Sequence, residues 1–181
     1  MRKNRILNDL RKGNGFHTDW RGIFISRMSK QAQYLPKQGL KLHISFKDIE
    51  EYRNWYEFVV VALVRHNLIF KIVNPDSFML RAFCDHPTQA GKFITIYSSQ
   101  HGDWKGFEKD LYPFLHADGA IEVASEKHFY GRVYGRYGSF VGECVQSPTG
   151  EEIVDDRNVE KPFFIKNLRL EDFGRIRSYE R

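Results

Sequence analysis

The chain is poor in cysteine and contains no long apolar run, and these two shortages exclude several classes of protein. Its two cysteines, Cys84 and Cys144, fit neither a zinc-binding pattern nor a disulfide framework. The most apolar stretch, residues 58–64, is about a third of the roughly 20 residues that a membrane-spanning helix needs. The basic residues 1–5 are not followed by the apolar run of a signal peptide. We therefore expect a cytoplasmic protein with no membrane partner.

Positive charge is in excess. The 28 lysines and arginines exceed the 23 acidic residues, which gives a net charge of +5. This balance favours an anionic partner, which is a nucleic acid, an acidic peptide or a phosphorylated substrate. The histidines do not have the spacing of metal ligands, so we expect no metal site.

The length of 181 residues suits one domain with extensions. We divide the chain into an N-terminal extension (residues 1–38), a core (39–145) and a C-terminal linker or tail (146–181). Short helices are expected in the extension at residues 6–12 and 18–28.

Hydrophobic periodicity predicts the elements of the core. We expect strands over residues 40–46, 68–73 and 92–97, helices over 48–66 and 103–116, a helical turn over 77–83, and a final strand pair at 120–124 and 131–141. The order β-α-β-β-α-β predicts an α+β fold, in which helices cover a mixed or antiparallel sheet.

Two of the predicted strands carry groups that can move protons. Alternation places Lys41, His43 and Ser45 on one face of the first strand. Lys71 lies within the apolar run 68–73, where burial and a second nearby cation would lower the pKa of its amine. Lys41 and His43 also fit a solvent-exposed face of a strand. Lys71 also fits a lysine whose ammonium group extends into water.

The final strand adds a site for an anion. Alternation places Arg132 and Arg136 on the same face, and a planar guanidinium binds phosphate through two hydrogen bonds. Two solvated arginines would show the same pattern.

Together these groups suit β-elimination of phosphate. Lys71 would remove the α-proton, Lys41 would stabilise the enolate that forms, and His43 would protonate the departing phosphate. The reaction requires no metal or organic cofactor.

Several ordered motifs resemble the N-terminal lyase domain of class III lanthipeptide synthetases, which is similar to the phosphothreonine lyases delivered by type III secretion. The resemblance covers residues 15–170 and rests on Lys71 and on segments 41–45, 91–97, 134–140, 147–150, 154–157 and 162–164. It implies that Lys71 is the base, His43 the acid and Lys41 the stabiliser of the carbonyl oxygen.

The resemblance also implies the phosphate ligands and the partners. It implies that Arg136 and Tyr97 bind the phosphate; Arg132, from strand alternation, and Lys92 and Arg81 are further candidate ligands. Arg81 is the nearest match to an arginine in the loop before the third strand, and Lys92 has the opposite strand parity from Tyr97. The partners would be a phosphorylated precursor peptide with its leader, and kinase and cyclase domains of the same synthetase or in separate subunits. The chain itself has no kinase motif, so we expect an excised domain or a separate lyase subunit.

Two other functions fit the same residues. A phosphopeptide or leader-peptide binding module would keep the arginines without turnover. A nucleic-acid binder would use the basic charge and the aromatic residues, but its cations would form a continuous stripe and not converge on one pocket.

Overall fold

The computed structural model describes residues 16–19, 21–27, 35–140, 144–146, 152–154 and 169–173. Their main feature is a seven-stranded sheet with the spatial order β1-β2-β4-β5-β3-β7-β6. The strands are β1 (Phe16–Thr18), β2 (Phe24–Arg27), β3 (Gln38–Ile44), β4 (Ile69–Val73), β5 (Ile94–Tyr97), β6 (Lys127–Tyr130) and β7 (Val133–Ser139). All neighbouring strands are antiparallel, which confirms the predicted α+β class. A separate antiparallel hairpin contains β8 (Cys144–Gln146) and β9 (Glu152–Val154).

One long helix and several short ones accompany the sheet. They are α1 (Ile49–Arg65), α2 (Ala82–Asp85), α3 (Trp104–Asp110) and α4 (Tyr112–Leu115), with 3-10 turns at Phe78–Arg81 and Leu170–Asp172. None of the helices in the described ranges has both the length and the apolar character needed to cross a membrane.

The start of α1 is fixed by the side chains that the sequence suggested. The Asp48 carboxylate accepts a hydrogen bond from the backbone N–H of Glu51 at 2.7 Å, and Glu51 in turn accepts one from the N–H of Lys47 at 2.7 Å. These bonds satisfy donors that have no partner inside the helix. Asp48 is therefore the N-cap and α1 begins at Ile49. The helix is one residue shorter at each end than predicted, and its buried side runs from Tyr52 to Leu63.

The two faces of β3 have different chemistry. Leu40, Leu42 and Ile44 belong to the hydrophobic core, which they share with the buried side of α1. Lys41 and His43 alternate with them and point to the other side of the sheet, as predicted. We call this second side the polar face.

The N-terminal segment differs from its prediction. The helix expected at residues 18–28 is wrong, because residues 24–27 form β2 and pair with β4. Ile25 fills a fully buried position there, so burial in the sheet outweighs any local preference for helix. β1 and β2 thus extend the core sheet, although both lie within residues 1–38. The helix expected at residues 6–12 lies outside the described residues.

Two later elements also differ. The strand expected at residues 120–124 is wrong, since that segment is irregular and β6 takes its place beside β7. The helix expected at 103–116 breaks at Leu111 into α3 and α4, because Pro113 in the first turn of α4 cannot donate a backbone hydrogen bond.

The hydroxyl of Tyr52 joins α1 to the sheet by donating a hydrogen bond to the carbonyl of Val73, and both residues are fully buried. We expect Tyr52→Phe to lower the free energy of unfolding by about 1 to 2 kcal/mol, because the buried carbonyl loses its donor. Urea denaturation measures the change. Tyr112→Phe is the matched control, since Tyr112 is exposed. Equal losses in the two variants would contradict this role of the hydroxyl.

Candidate active site

The polar face of the sheet contains a small cavity of about 140 Å³. Four of the five strands that border it, together with the loops around them, supply charged or polar side chains. Its lining comprises Phe24, Lys41, His43, Lys71, Phe83, Gln89, Lys92, Thr95, Tyr97, Glu126, Arg136, Ser139 and Phe140. The structure thus brings together six of the eight residues that the sequence singled out, namely Lys41, His43, Lys71, Lys92, Tyr97 and Arg136.

Strand register explains this convergence. β3 lies between β5 and β7, and Lys41 is paired with Tyr97 on one side and with Arg136 on the other. Lys71 of β4 is paired with Thr95 of β5. Paired residues on neighbouring antiparallel strands point to the same face, so the side chains of Lys71, Tyr97, Lys41 and Arg136 lie on one face within three strand spacings.

A buried carboxylate lies among these cations. Glu126 Oε2 is 2.6 Å from Nδ1 of His43, and the Glu126 side chain has no exposed surface. Its other oxygen, Oε1, is 3.6 Å from Nζ of Lys92, which also donates a hydrogen bond to the hydroxyl of Ser125 at 3.1 Å. Sequence analysis missed Glu126, because it lies in an irregular segment just before β6 where no periodicity applies.

The surrounding charges keep Glu126 ionised. Burial alone would raise the pKa of this carboxyl group. The interaction with His43 and the charges of Lys92 and Arg136 more than offset burial, so the pKa of Glu126 lies below its usual value.

Burial is the largest influence on His43, and it lowers the pKa of the imidazole. Glu126 raises this pKa, whereas the charges of Lys92 and Lys41 lower it further, and the net shift is downward. His43 is therefore neutral near pH 7. An ionised carboxylate can only accept a hydrogen bond, so Nδ1 of His43 carries the proton that is donated to Glu126. In the neutral ring Nε2 is then unprotonated.

Lys71 lies against an aromatic ring from the N-terminal strand pair. Its Nζ atom is 4.4 Å from the ring centroid of Phe24, within the range of a cation–π interaction. Lys71 is only partly buried, as expected for a side chain that borders an open cavity. Sequence analysis missed Phe24 because it assigned this segment to a helix outside the core.

Tyr97 is held by a second aromatic contact. Its ring packs edge to face against Phe140, with centroids 5.2 Å apart. Phe140 in turn lies over Gly39, where a Cβ atom would approach the Phe140 ring to 2.8 Å. A larger residue at position 39 would therefore require the Phe140 ring, and its contact with Tyr97, to shift.

Arg132 and Arg81 do not line the cavity. Arg132 makes two hydrogen bonds to the carboxylate of Glu51, at 2.6 and 2.8 Å, and lies over the ring of Phe114. It precedes β7 and follows Gly131, whose φ of 40° breaks the strand geometry, so the expected face shared with Arg136 is not formed.

Arg81 is exposed and pairs with Asp85, one turn further along the helical segment. Lys92 also lies outside a strand, since β5 starts at Ile94, so strand parity does not decide its direction and it reaches the cavity after all. Gly91, with φ of 78°, makes the turn before it.

The family comparison agrees with the extent of this unit. A family model described as "RamC, N-terminal domain" matches residues 5–160. The chain belongs to this family. The match includes every residue that lines the cavity and relates the chain to lanthipeptide synthetases and their biosynthetic pathway. No curated protein matches the sequence.

Within the described ranges, no group of three or more histidine, cysteine, aspartate or glutamate side chains is arranged to hold a metal ion.

The lowered pKa of His43 predicts a pH dependence of folding. The unfolded chain protonates this histidine near its ordinary pKa of 6.5, whereas the folded protein resists protonation, so stability falls as pH drops below about 6.5. We expect His43→Gln to flatten the loss between about pH 7 and 5, by at most ~1.4 kcal/mol per pH unit.

Urea unfolding at several pH values measures this slope. His101→Gln, which replaces an exposed histidine, is the control and should keep the slope of the wild type. A His43→Gln slope equal to that of the wild type would show that His43 takes up its proton equally in both states.

Proposed function

We propose that this chain is a phosphoserine/phosphothreonine lyase, which eliminates phosphate from a phosphorylated precursor peptide in lanthipeptide biosynthesis. The products are dehydroalanine or dehydrobutyrine in the peptide and free phosphate. One observation carries the proposal: an amine, an imidazole and a guanidinium from three strands share a small cavity with a buried carboxylate that orients the imidazole.

The size of the cavity favours a single side chain as the substrate group. Sites for drug-sized ligands typically have volumes of about 300–1,000 Å³, and this cavity has about 140 Å³. A phosphorylated serine or threonine side chain enters such a space while the peptide backbone stays at its rim. This volume favours a single phosphorylated side chain over a whole nucleotide as the group that enters the cavity.

The charges of the lining suit a phosphate dianion. Arg136 is 3% exposed and always charged, so it can bind two phosphate oxygens in a site that excludes most water. Lys92 and Tyr97 add further hydrogen-bond donors to the lining of the cavity. Arg132 has its own carboxylate partner in Glu51, so we assign it to the structure and not to the phosphate.

The proposed reaction starts at the α-carbon. Lys71 takes the α-proton through its unprotonated amine, and the ammonium of Lys41 stabilises the negative charge that develops on the neighbouring carbonyl oxygen. The electron pair then forms the carbon–carbon double bond while the bond between the β-carbon and the phosphate oxygen breaks.

His43 completes the reaction as the acid. A phosphate dianion close to Nε2 favours the protonated ring, so substrate binding brings a proton to a histidine that is otherwise neutral near pH 7. Glu126 accepts the hydrogen bond from Nδ1 and stabilises the imidazolium until Nε2 passes its proton to the leaving phosphate. Lys71 and His43 then exchange protons with water and return to their starting states.

The proposal implies particular partners. The substrate would carry a leader, and the phosphate would come from a kinase domain of the same synthetase or of a separate subunit, with a cyclase acting on the product. We place the reaction in the cytoplasm, where phosphorylated peptide intermediates are made. No cofactor is required by these steps.

The direct test is mass spectrometry of a phosphoserine peptide incubated with the chain in EDTA and without nucleotide. Elimination removes about 98 Da, the mass of phosphoric acid, and leaves an alkene that reacts with thiols. We expect Lys71→Ala to lower the rate by about 10²- to 10⁴-fold, because it removes the base, while phosphopeptide binding persists. Lys105→Ala, which removes an exposed lysine of α3, is the control. Full activity of Lys71→Ala would contradict the assignment of the base.

A second prediction compares Arg136 with Arg81, both of which the sequence analysis named as phosphate ligands. We expect Arg136→Ala to raise the Kd for the phosphopeptide by at least about tenfold, because a charged hydrogen bond is lost from a buried site. Arg81→Ala should leave the Kd unchanged, since Arg81 is exposed outside the cavity. Isothermal titration calorimetry measures both. A larger effect of Arg81→Ala would move the phosphate site to the 3-10 turn at Phe78–Arg81.

Binding with no mass change, even when a leader-bearing phosphopeptide is supplied, would favour the non-catalytic binding module. Salt-dependent binding of unrelated oligonucleotides would favour a nucleic-acid binder.

A further inference from the structure

The N-terminal strand pair contributes a side chain to the cavity that the proposed reaction has not yet used. Phe24 of β2 lines the cavity, and its ring lies 4.4 Å from Nζ of Lys71. Phe83 packs edge to face against the ring of Phe24, with centroids 5.8 Å apart, and this contact limits the movement of the ring. Phe83 is buried and belongs to the core.

Strand pairing fixes the relative position of Phe24 and Lys71. β2 and β4 are antiparallel neighbours, with Ser26 opposite Lys71 and Phe24 opposite Val73. Phe24 is therefore the diagonal neighbour of Lys71 on the same face, a distance that an aromatic ring and a lysine side chain can span. The contact follows from the register of the sheet and not from a mobile loop.

The ring has a different effect on the two protonation states of Lys71. The negative face of an aromatic ring attracts an ammonium group but gives little to a neutral amine. Other charged or titratable groups also face this part of the cavity, and they are Lys41 and His43 on β3, Tyr97 on β5, Arg136 on β7, and Lys92 and Glu126 from the loops. The cationic or potentially cationic groups among them are Lys41, His43, Arg136 and Lys92. Their repulsion of a further positive charge favours the neutral amine of Lys71.

We propose that the face of Phe24 is the binding site for the ammonium form of Lys71, and that Phe24 is thereby a positioning residue for the base. This inference rests on the proposed lyase function. The ring opposes the surrounding cations, so it raises the proton affinity of the amine and holds the ammonium that forms once the α-proton has been taken. The N-terminal segment is then part of the catalytic unit and not an appendage to it.

Fluorination of the ring tests this role with almost no change of shape. Pentafluorophenylalanine at position 24 in the full chain reverses the charge distribution of the ring face, and para-fluorophenylalanine weakens it. We expect the pKa of Lys71, measured by NMR of its labelled side chain, to fall by about one unit in the pentafluoro variant and by less in the para-fluoro variant.

The rate of elimination should follow the titration. The rising limb of the pH–rate profile should move to lower pH by the same amount as the pKa, and the plateau at high pH should fall, because a weaker base removes the α-proton more slowly. Loss of packing alone would lower the whole profile without moving its midpoint. Phe58, which is 66% exposed on α1, is the position for the control fluorination and should show neither effect.

The outcomes separate the two proposals. An unchanged Lys71 pKa in the pentafluoro variant, or a fall as large in the Phe58 control, would overturn the role of Phe24. Absence of elimination by the wild-type chain would overturn the lyase function, and the NMR titration would still decide whether the ring binds the ammonium.

Discussion

The buried charge of Glu126 is the interaction on which the cavity depends. Lys41, Lys92 and Arg136 are each less than a tenth exposed and lie within one small space, where water screens their repulsion poorly. The fully buried carboxylate offsets part of this positive charge and fixes the ring of His43. It does not offset all of it. The remaining excess is the electrostatic feature that suits a dianionic ligand, and it is present before any ligand binds.

The antiparallel sheet supplies the geometry that the charges require. Lys41 and His43 lie on β3, Arg136 on β7 and Lys71 on β4, and all three are interior strands of the sheet. Lys41, His43 and Lys71 have ladder partners on both sides, and Arg136 is paired with Lys41. The core on the opposite face anchors these strands to α1. Side chains on such elements keep their relative positions better than side chains on loops. The loops contribute the complementary groups, Glu126 and Lys92.

The sequence predicted the parts of the site that obey a period. Strand alternation placed Lys41, His43 and Arg136 correctly on the polar face, and an apolar run with a single lysine identified Lys71. It could not predict Glu126, because an irregular segment has no period that assigns a direction. The same limit explains Arg132, which precedes β7 and turns toward α1. β2 was missed for another reason: its four residues gain their strand structure from pairing with β4, a contact distant in sequence.

The positive charge of the cavity bears on the order in which the products of an elimination would leave. The alkene that elimination creates is uncharged and has no attraction to the cations, whereas phosphate keeps the charge that drew the substrate in. For a lyase built on this cavity, peptide therefore leaves first and phosphate leaves last. In such an enzyme, the affinity of Arg136 for the substrate phosphate would also be an affinity for the product, so the phosphate concentration of the cell would set the fraction of enzyme that is free to accept the next residue.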